Sequence, residues 1–271
     1  MRPSVIITTY NNPAFLARVL ACPILAQVEV IVADDGSGAE TAALIQQVQS
    51  QRVASGHAPL LHAWIPDEGF RAAAARNAAV RLATGDYLIF IDGDCLPMAD
   101  FITQHIALAQ AGYWVTGNRV MLREAYTKQV LEQNIDVTAL SYSDFKQLKK
   151  HKHIKRLQPL WRWPTQGWCA AWRTLQPRKW KNAKTCNLGV WRSDFEQVNG
   201  FDERYVGWGR EDSDLVVRLI NAGVFRKDGR YATGVIHLWH AMNDRAPLPE
   251  NNERLRRVVA EKLVLPQVGL Y

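Results

Sequence analysis

Tyr87-Leu88-Ile89-Phe90-Ile91-Asp92-Gly93-Asp94-Cys95 decides how the rest of the chain is read. Five apolar or aromatic residues spell a buried strand, and the polarity then switches to two carboxylates one residue apart. At the carboxyl edge of an open α/β sheet, loops gather polar groups from several strands over a dry core. Gly93 allows a tight turn, so both carboxylates can face one hard cation carrying a diphosphate. An Asp-x-Asp alone also fits an ordinary strand-end turn, so the reading rests on what accompanies it.

Upstream, residues 4–9 predict a first buried strand that runs into Thr8-Thr9-Tyr10-Asn11-Asn12-Pro13, with Pro13 suited to a first helical turn. Residues 28–33 predict a second strand ending in Asp34-Asp35-Gly36-Ser37. Two strands ending in polar loops and joined by a helix make a βαβ unit. A helix over 40–51 and a short strand over 60–65 follow. The Ala-rich stretch from Asp67 to Asn77 predicts a helix packed closely on the sheet, its first turns carrying Arg71 and Arg76. These arginines suit a phosphate or ribose clamp, with a solvated helix face as the alternative for at least one. Thr84-Gly85-Asp86 ends that helix, and there is no G-x-G-x-x-G dinucleotide cradle.

A chain of 271 residues, 48% of them hydrophobic, can bury one large core or two fused lobes. No stretch approaches the roughly 20 apolar residues of a membrane span, and the first residues are too short an apolar run for a signal segment. The expectation is a cytoplasmic protein, with peripheral attachment at the inner face of the cell membrane as the variant. Four cysteines (Cys22, Cys95, Cys169, Cys186) without a C-x-x-C pair read as reduced thiols. The net charge of +7 and a pI near 9.3 favour an acidic partner: nucleotide, phospholipid surface, lipopolysaccharide core or nucleic acid.

In the second half, residues 146–184 hold twelve Lys or Arg, no Asp or Glu, and five of the ten tryptophans (Trp161, Trp163, Trp168, Trp172, Trp180). Such a segment fits an acceptor-side or anionic-membrane surface, an RNA-binding face, or a solvated loop; tryptophan stacking on sugar rings favours the first. Next, Gly207-Trp208-Gly209-Arg210-Glu211-Asp212-Ser213-Asp214 sets an aromatic ring in a flexible loop and opens a helix with carboxylates. A helix N-terminus favours their ionised form, and an ionised Asp can take a proton from a sugar hydroxyl. Val235-Ile236-His237-Leu238-Trp239-His240 reads as a strand or its exit, with His237 and Trp239 on one face and two imidazoles able to reach one ion. Residues 250–261 predict an amphipathic, solvated or surface-binding helix.

Thr8-Thr9-Tyr10-Asn11, Asp34-Asp35-Gly36-Ser37, Gly69-Phe70-Arg71 with Ala75-Arg76-Asn77, Gly85-Asp86-Tyr87 and Asp92-Gly93-Asp94, in this order and spacing, resemble family 2 glycosyltransferases of the GT-A fold. The later Trp208-Gly209-Arg210-Glu211-Asp212 and the His237/His240 pair resemble inverting galactosyl- and N-acetylhexosaminyltransferases. The resemblance implies an α/β GT-A domain: a Rossmann-like donor lobe with a mostly parallel sheet over 1–118, fused to an acceptor-binding and catalytic lobe over 119–271. It implies that Thr8 and Tyr10 border a uridine ring and that Asp35 accepts from the uracil N–H. Asp92, Gly93 and Asp94 would hold ribose and diphosphate metal, with Arg71 and Arg76 also on the donor. Asp212 would be the base and Glu211 an acceptor-orienting group, with Trp208 and Gly209 against the acceptor sugar. Asp94, His240 and His237 would hold Mn²⁺, with Mg²⁺ as the alternative. The expected activity is metal-dependent, inverting transfer of a hexose or N-acetylhexosamine from a UDP-sugar to a glycan or glycolipid, in bacterial capsule, lipopolysaccharide or O-antigen synthesis, with no nucleic-acid partner. A sugar-nucleotide nucleotidyltransferase would need a Gly-rich triphosphate loop, whereas residues 8–13 contain no glycine; an RNA-binding protein would leave Glu211, Asp212 and the histidines without a task.

Overall fold

The computed structural model describes residues 1–241, 244 and 246–271. The first half alternates strand and helix: β1 (Pro3–Thr9), α1 (Pro13–Leu20), β2 (Glu29–Asp34), α2 (Ala39–Ala54), β3 (Leu60–Trp64), α3 (Ala72–Leu82), β4 (Tyr87–Asp92), β5 (Cys95–Pro97), α4 (Phe101–Leu108), β6 (Tyr113–Thr116) and β7 (Asn118–Met121). Then come α5 (Glu124–Glu132), α6 (Tyr142–Lys150), α7 (Trp168–Arg173), β8 (Leu188–Trp191), α8 (Arg192–Gln197), α9 (Glu211–Asn221), β9 (Phe225–Asp228), β10 (Gly234–His237) and α10 (Leu248–Glu261).

The main sheet has the order β3-β2-β1-β4-β8-β6-β9, and its β3-β2-β1-β4 half is wholly parallel. Strands covered by helices on both faces read as continuous apolar runs, which is what Val5-Ile6-Ile7 and Leu88-Ile89-Phe90-Ile91 are. Alternation then splits the core. Val5, Ile7, Val30, Val32, Ile89 and Ile91 meet Leu16, Val19 and Ile45 of α1 and α2. On the other face Ile6, Ile31, Leu88 and Phe90 meet the alanines of α3 and Leu215, Val216 and Leu219 of α9. Strand β8 runs antiparallel between β4 and β6, so chain from both sides of residue 118 shares one sheet.

A second sheet, β5-β10-β7, grows from the end of β4. Its antiparallel β5–β10 pairing sets His237 opposite Cys95, and its parallel β10–β7 pairing sets His237 beside Met121. β10 ends at His237, so the expected alternation through Trp239 does not operate: His237 is buried while Trp239 is exposed.

Two other expectations change. Arg71 precedes α3 as its N-cap rather than lying inside the helix. Residues 250–261 lie in α10, which packs Leu255 and Val258 on Val217 of α9, so only one face is solvated. The four cysteines are free and buried. Among the described residues no helix is long and apolar enough to cross a membrane.

Within α9, Asp214 and Arg218 are both fully buried and paired at 2.7 Å, and Tyr205 Oη donates to Asp214 at 3.3 Å. Removing one partner of a buried pair leaves the other charge uncompensated. Asp214→Asn should therefore lower unfolding free energy by about 3 kcal/mol in a urea titration; an unchanged midpoint would refute this role.

Candidate active site

Arg76, on the second turn of α3, is 4% exposed and fans its guanidinium across three other elements. Nε donates to Thr8 Oγ1 at the end of β1 (2.9 Å), and Nη2 to Asp92 Oδ1 at the end of β4 (3.2 Å). Nη1 donates to Glu211 Oε1 in the first turn of α9 (3.3 Å) and lies 3.8 Å from Asp212 Oδ1. Of the two arginines singled out from sequence, this one is structural to the site. The Arg71 guanidinium instead binds Glu68 (2.7 Å) and the Pro66 carbonyl (2.8 Å) at the rim.

Gly93 sits tight against β1: its N–H donates to the Thr8 carbonyl at 2.7 Å, and a Cβ there would stand 3.0 Å from that oxygen. Its requirement is close approach, not an unusual turn. Just beyond it, Asp94 Oδ2 lies 3.0 Å from His240 Nε2 and 3.4 Å from His237 Nε2. One ligand atom from each of the three falls within 4.8 Å of the others, so a carboxylate and two imidazoles can close on one ion. Burial alone would raise Asp94, but the hydrogen bond from His240, together with that histidine's charge, holds it below the usual carboxylate range. His237 is pushed down to about 4, chiefly by burial, and is a neutral imidazole. His240 is pushed up by its hydrogen bond to Asp94.

At the other end of the edge, Asp35 is buried. Oδ2 accepts from the Arg71 backbone N–H at 2.7 Å, while Oδ1 is buried without a hydrogen-bond partner among the described residues. Burial raises this carboxyl to about 6. Nearby Tyr10 is 46% exposed, with its hydroxyl 3.1 Å from Asp67.

Glu211 and Asp212 divide the α9 entrance. Asp212 Oδ1 accepts from Thr185 Oγ1 at 2.7 Å. Glu211 departs from expectation: burial, reinforced by the charge of Asp212, raises it to about 7 despite its place at a helix start. The helix dipole is worth too little to offset that desolvation. Asp92 is likewise raised to about 6, mainly by burial. The loop before α9 turns through Gly207 (φ +76°), Gly209 (φ +104°) and Arg210 (φ +84°), and carries the half-buried Trp208. A Cβ on Gly207 would collide with the Pro247 ring, so α10's entry clamps this loop.

Two groups in the site were not singled out from sequence. Thr185 orients Asp212, and Arg119 of β7 donates to Cys186 Sγ (3.7 Å), where it feels the charges of Asp92 and Asp94. Nothing local marks either; only the β8 and β7 pairings bring them in.

The glycosyl transferase family 2 profile matches residues 4–174, and a profile described as the N-terminal domain of galactosyltransferase matches residues 170–238. A hyaluronan synthase of Pasteurella multocida is 28% identical over 83% of this chain and 23% of its own length. A validoxylamine A glucosyltransferase of Streptomyces hygroscopicus subsp. jinggangensis is 27% identical over 86% of this chain and 54% of its own. The chain thus spans about half or less of these relatives. Among solved structures, GalNAc-T7 with UDP, GalNAc and Mn²⁺ superposes with TM-score 0.62 at 16% identity, covering 95% of this chain and 48% of that one. The fold is GT-A, as expected.

Glu211 titrates with a definite sign. A carboxyl raised from 4.5 to about 7 on folding stabilises the native state fully below pH 4.5, and that contribution is lost as pH rises to 7, where folding must bury a charge. Glu211→Gln should flatten this slope and be more stable than wild type at pH 8, by on the order of 2 kcal/mol. Urea unfolding at pH 5 and pH 8 tests it, and equal wild-type and variant stability at pH 8 would contradict it.

Proposed function

From the premise that this chain belongs to glycosyl transferase family 2, we propose that it is a metal-dependent, inverting transferase that moves a hexose or N-acetylhexosamine from a UDP-sugar to a glycan or glycolipid. The observation that carries this reading is the convergence at one sheet edge of a carboxylate–diimidazole cluster, Asp94, His237 and His240, with a second carboxylate, Asp212, held beside Arg76. The relatives named as hyaluronan synthase and glucosyltransferase support a carbohydrate acceptor, and surface-polysaccharide synthesis in a bacterium is the setting we assign.

In this reading residues 1–118 hold the donor. Asp35 Oδ1, left without a partner, accepts the uracil N–H, Tyr10 lies along the base, and Thr8 and Asp92, both tied to Arg76, border the ribose. Arg71 closes on the diphosphate from the rim. Asp94, His240 and His237 would hold the cation; one carboxylate and two nitrogens suit Mn²⁺ better than Mg²⁺. When bound, it neutralises the diphosphate as the sugar–oxygen bond breaks.

Residues 119–271 serve the acceptor. Asp212 takes the proton from the acceptor hydroxyl, whose oxygen attacks the anomeric carbon opposite the diphosphate. The C–O bond to UDP breaks with its electron pair on the leaving oxygen, and the configuration inverts. Thr185 and Arg76 fix the Asp212 carboxylate at one oxygen, leaving the other for the proton. Glu211, pinned by Arg76, orients the acceptor, and Trp208 and Gly209 face its ring. Exposed Trp168 and Leu175, in the stretch free of acids, support attachment to the inner membrane face.

Calorimetry of UDP with and without Mn²⁺ tests the metal cluster. Asp94→Ala should abolish the Mn²⁺-dependent part of UDP binding, and wild-type affinity in that variant would overturn the assignment. Because the proton that His240 shares with Asp94 must leave before a cation enters, Mn²⁺ affinity should rise with pH.

Asp212→Asn keeps shape but cannot accept a proton. It should bind Mn²⁺–UDP normally while turnover falls about a hundredfold to ten-thousandfold, at least about 2.7 kcal/mol in activation free energy. Wild-type turnover in a UDP-sugar transfer assay would remove Asp212 from this role.

A further inference from the structure

The site just described leaves unused a separate pocket of about 300 Å³ lined by Tyr142, Lys149, Lys155, Arg156 and Trp161, open to solvent. That volume is at the small end of ligand sites and suits a sugar or two rather than a protein segment. Trp161 is backed by Tyr231 (ring centroids 5.8 Å apart) yet remains 43% exposed, and Tyr142 is exposed as well. Flat aromatic faces of this kind stack on sugar rings.

The charge around it has one sign. Lys149 is steered by donating to the Lys155 carbonyl at 2.7 Å, and Lys146 lies over the Tyr142 ring at 5.1 Å. The side chains of Lys155 and Arg156 are exposed and make no hydrogen bond or ion pair among the described residues. The one acid of α6, Asp144, is tied into the capping box with Ser141. Among the described residues, no carboxylate lines the pocket.

The sheet fixes where this pocket stands relative to the reaction. The Lys155 N–H donates to the Met121 carbonyl, and Ile154 bridges Leu122, so residues 154–155 form one more row outside β7. β7 in turn lies beside β10, with Met121 next to His237. Two strand spacings of about 4.8 Å separate the row from the metal-binding end of β10, roughly 10 Å in all. A short oligosaccharide extending from the site past His237 and over β7 would meet this row.

We propose that this pocket is an acceptor subsite that recognises an anionic saccharide, a sugar bearing a carboxylate or phosphate, one or more residues back from the hydroxyl that is glycosylated. The inference rests on the glycosyltransferase reading. The aromatic faces take the ring, while Lys149, Lys155 and Arg156 take the charge.

The test is calorimetry on the full chain with five probes: a glucuronic-acid-terminated disaccharide, its neutral glucose-terminated counterpart, the same disaccharide phosphorylated, inorganic phosphate, and phosphatidylglycerol vesicles. At least one charged disaccharide should bind tenfold or more tighter than the neutral one, and which of the two does so identifies the charged group. Lys155→Ser with Arg156→Ser should reduce that affinity to the neutral level with an unchanged circular dichroism spectrum, and Trp161→Ala should weaken all three disaccharides. Equal binding of charged and neutral disaccharides, inorganic phosphate as tight as the sugars, or binding to vesicles alone would each overturn the proposal. The readout is saccharide binding, so failure here is told apart from failure of the donor reading, which UDP titration of the wild-type chain measures.

Discussion

A single buried guanidinium holds this edge of the sheet together. Arg76 is surrounded by Asp92, Glu211 and Asp212 and also holds the Thr8 hydroxyl, so α3, β1, β4 and α9 meet on one planar group. A buried charge is tolerated only when paired, and here the dependence is mutual: without Arg76, three carboxyl groups would face one another in a dry space. A lysine could not replace it, because a point charge lacks the fork that reaches several oxygens at fixed angles. The close packing that brings Arg76 inward depends on Ala73, Ala75 and Ala79, whose small side chains let α3 lie against the sheet.

The second sheet has the complementary task. Asp94 is delivered by β4, but its imidazole partners come from more than 140 residues later, and only the β5–β10 pairing opposite Cys95 brings them within 3.4 Å. The α9 entrance is positioned from behind by α10, whose Pro247 and Leu248 close on Gly207 and Gly209. Each half of the site is thus local in sequence, and the joint between them is not.

This division explains how much could be read without coordinates. The βαβ order, the parallel sheet and Asp92/Asp94 announce themselves through apolar runs that end in polar punctuation, whereas Glu211/Asp212 show as acids opening a helix after a Gly-Trp-Gly loop, and the family resemblance gives these and the His237/His240 pair their roles. Helical spacing alone could not say which of Arg71 and Arg76 turns inward, since that depends on where β4 and α9 end. Thr185 and Arg119 carry no local signal. Glu211 was misread because position at a helix start is visible in sequence while burial is not, and burial is the larger effect. The arginine- and glutamate-rich α10 looked solvated because its pairs Arg254–Glu250 and Arg257–Glu261 advertise one face, while Leu255 and Val258 are buried on the other.

The upward shifts of Asp92 and Glu211 describe the resting electrostatics of the cleft. Among the described residues, Asp92, Asp94, Glu211 and Asp212 crowd there against the guanidiniums of Arg76 and Arg119 and the imidazole of His240, and burial shifts Asp92 and Glu211 toward their neutral forms. On the donor reading, a nucleotide diphosphate bound without a cation would push these carboxyls further toward neutrality, so donor binding would be accompanied by proton uptake that a cation offsets.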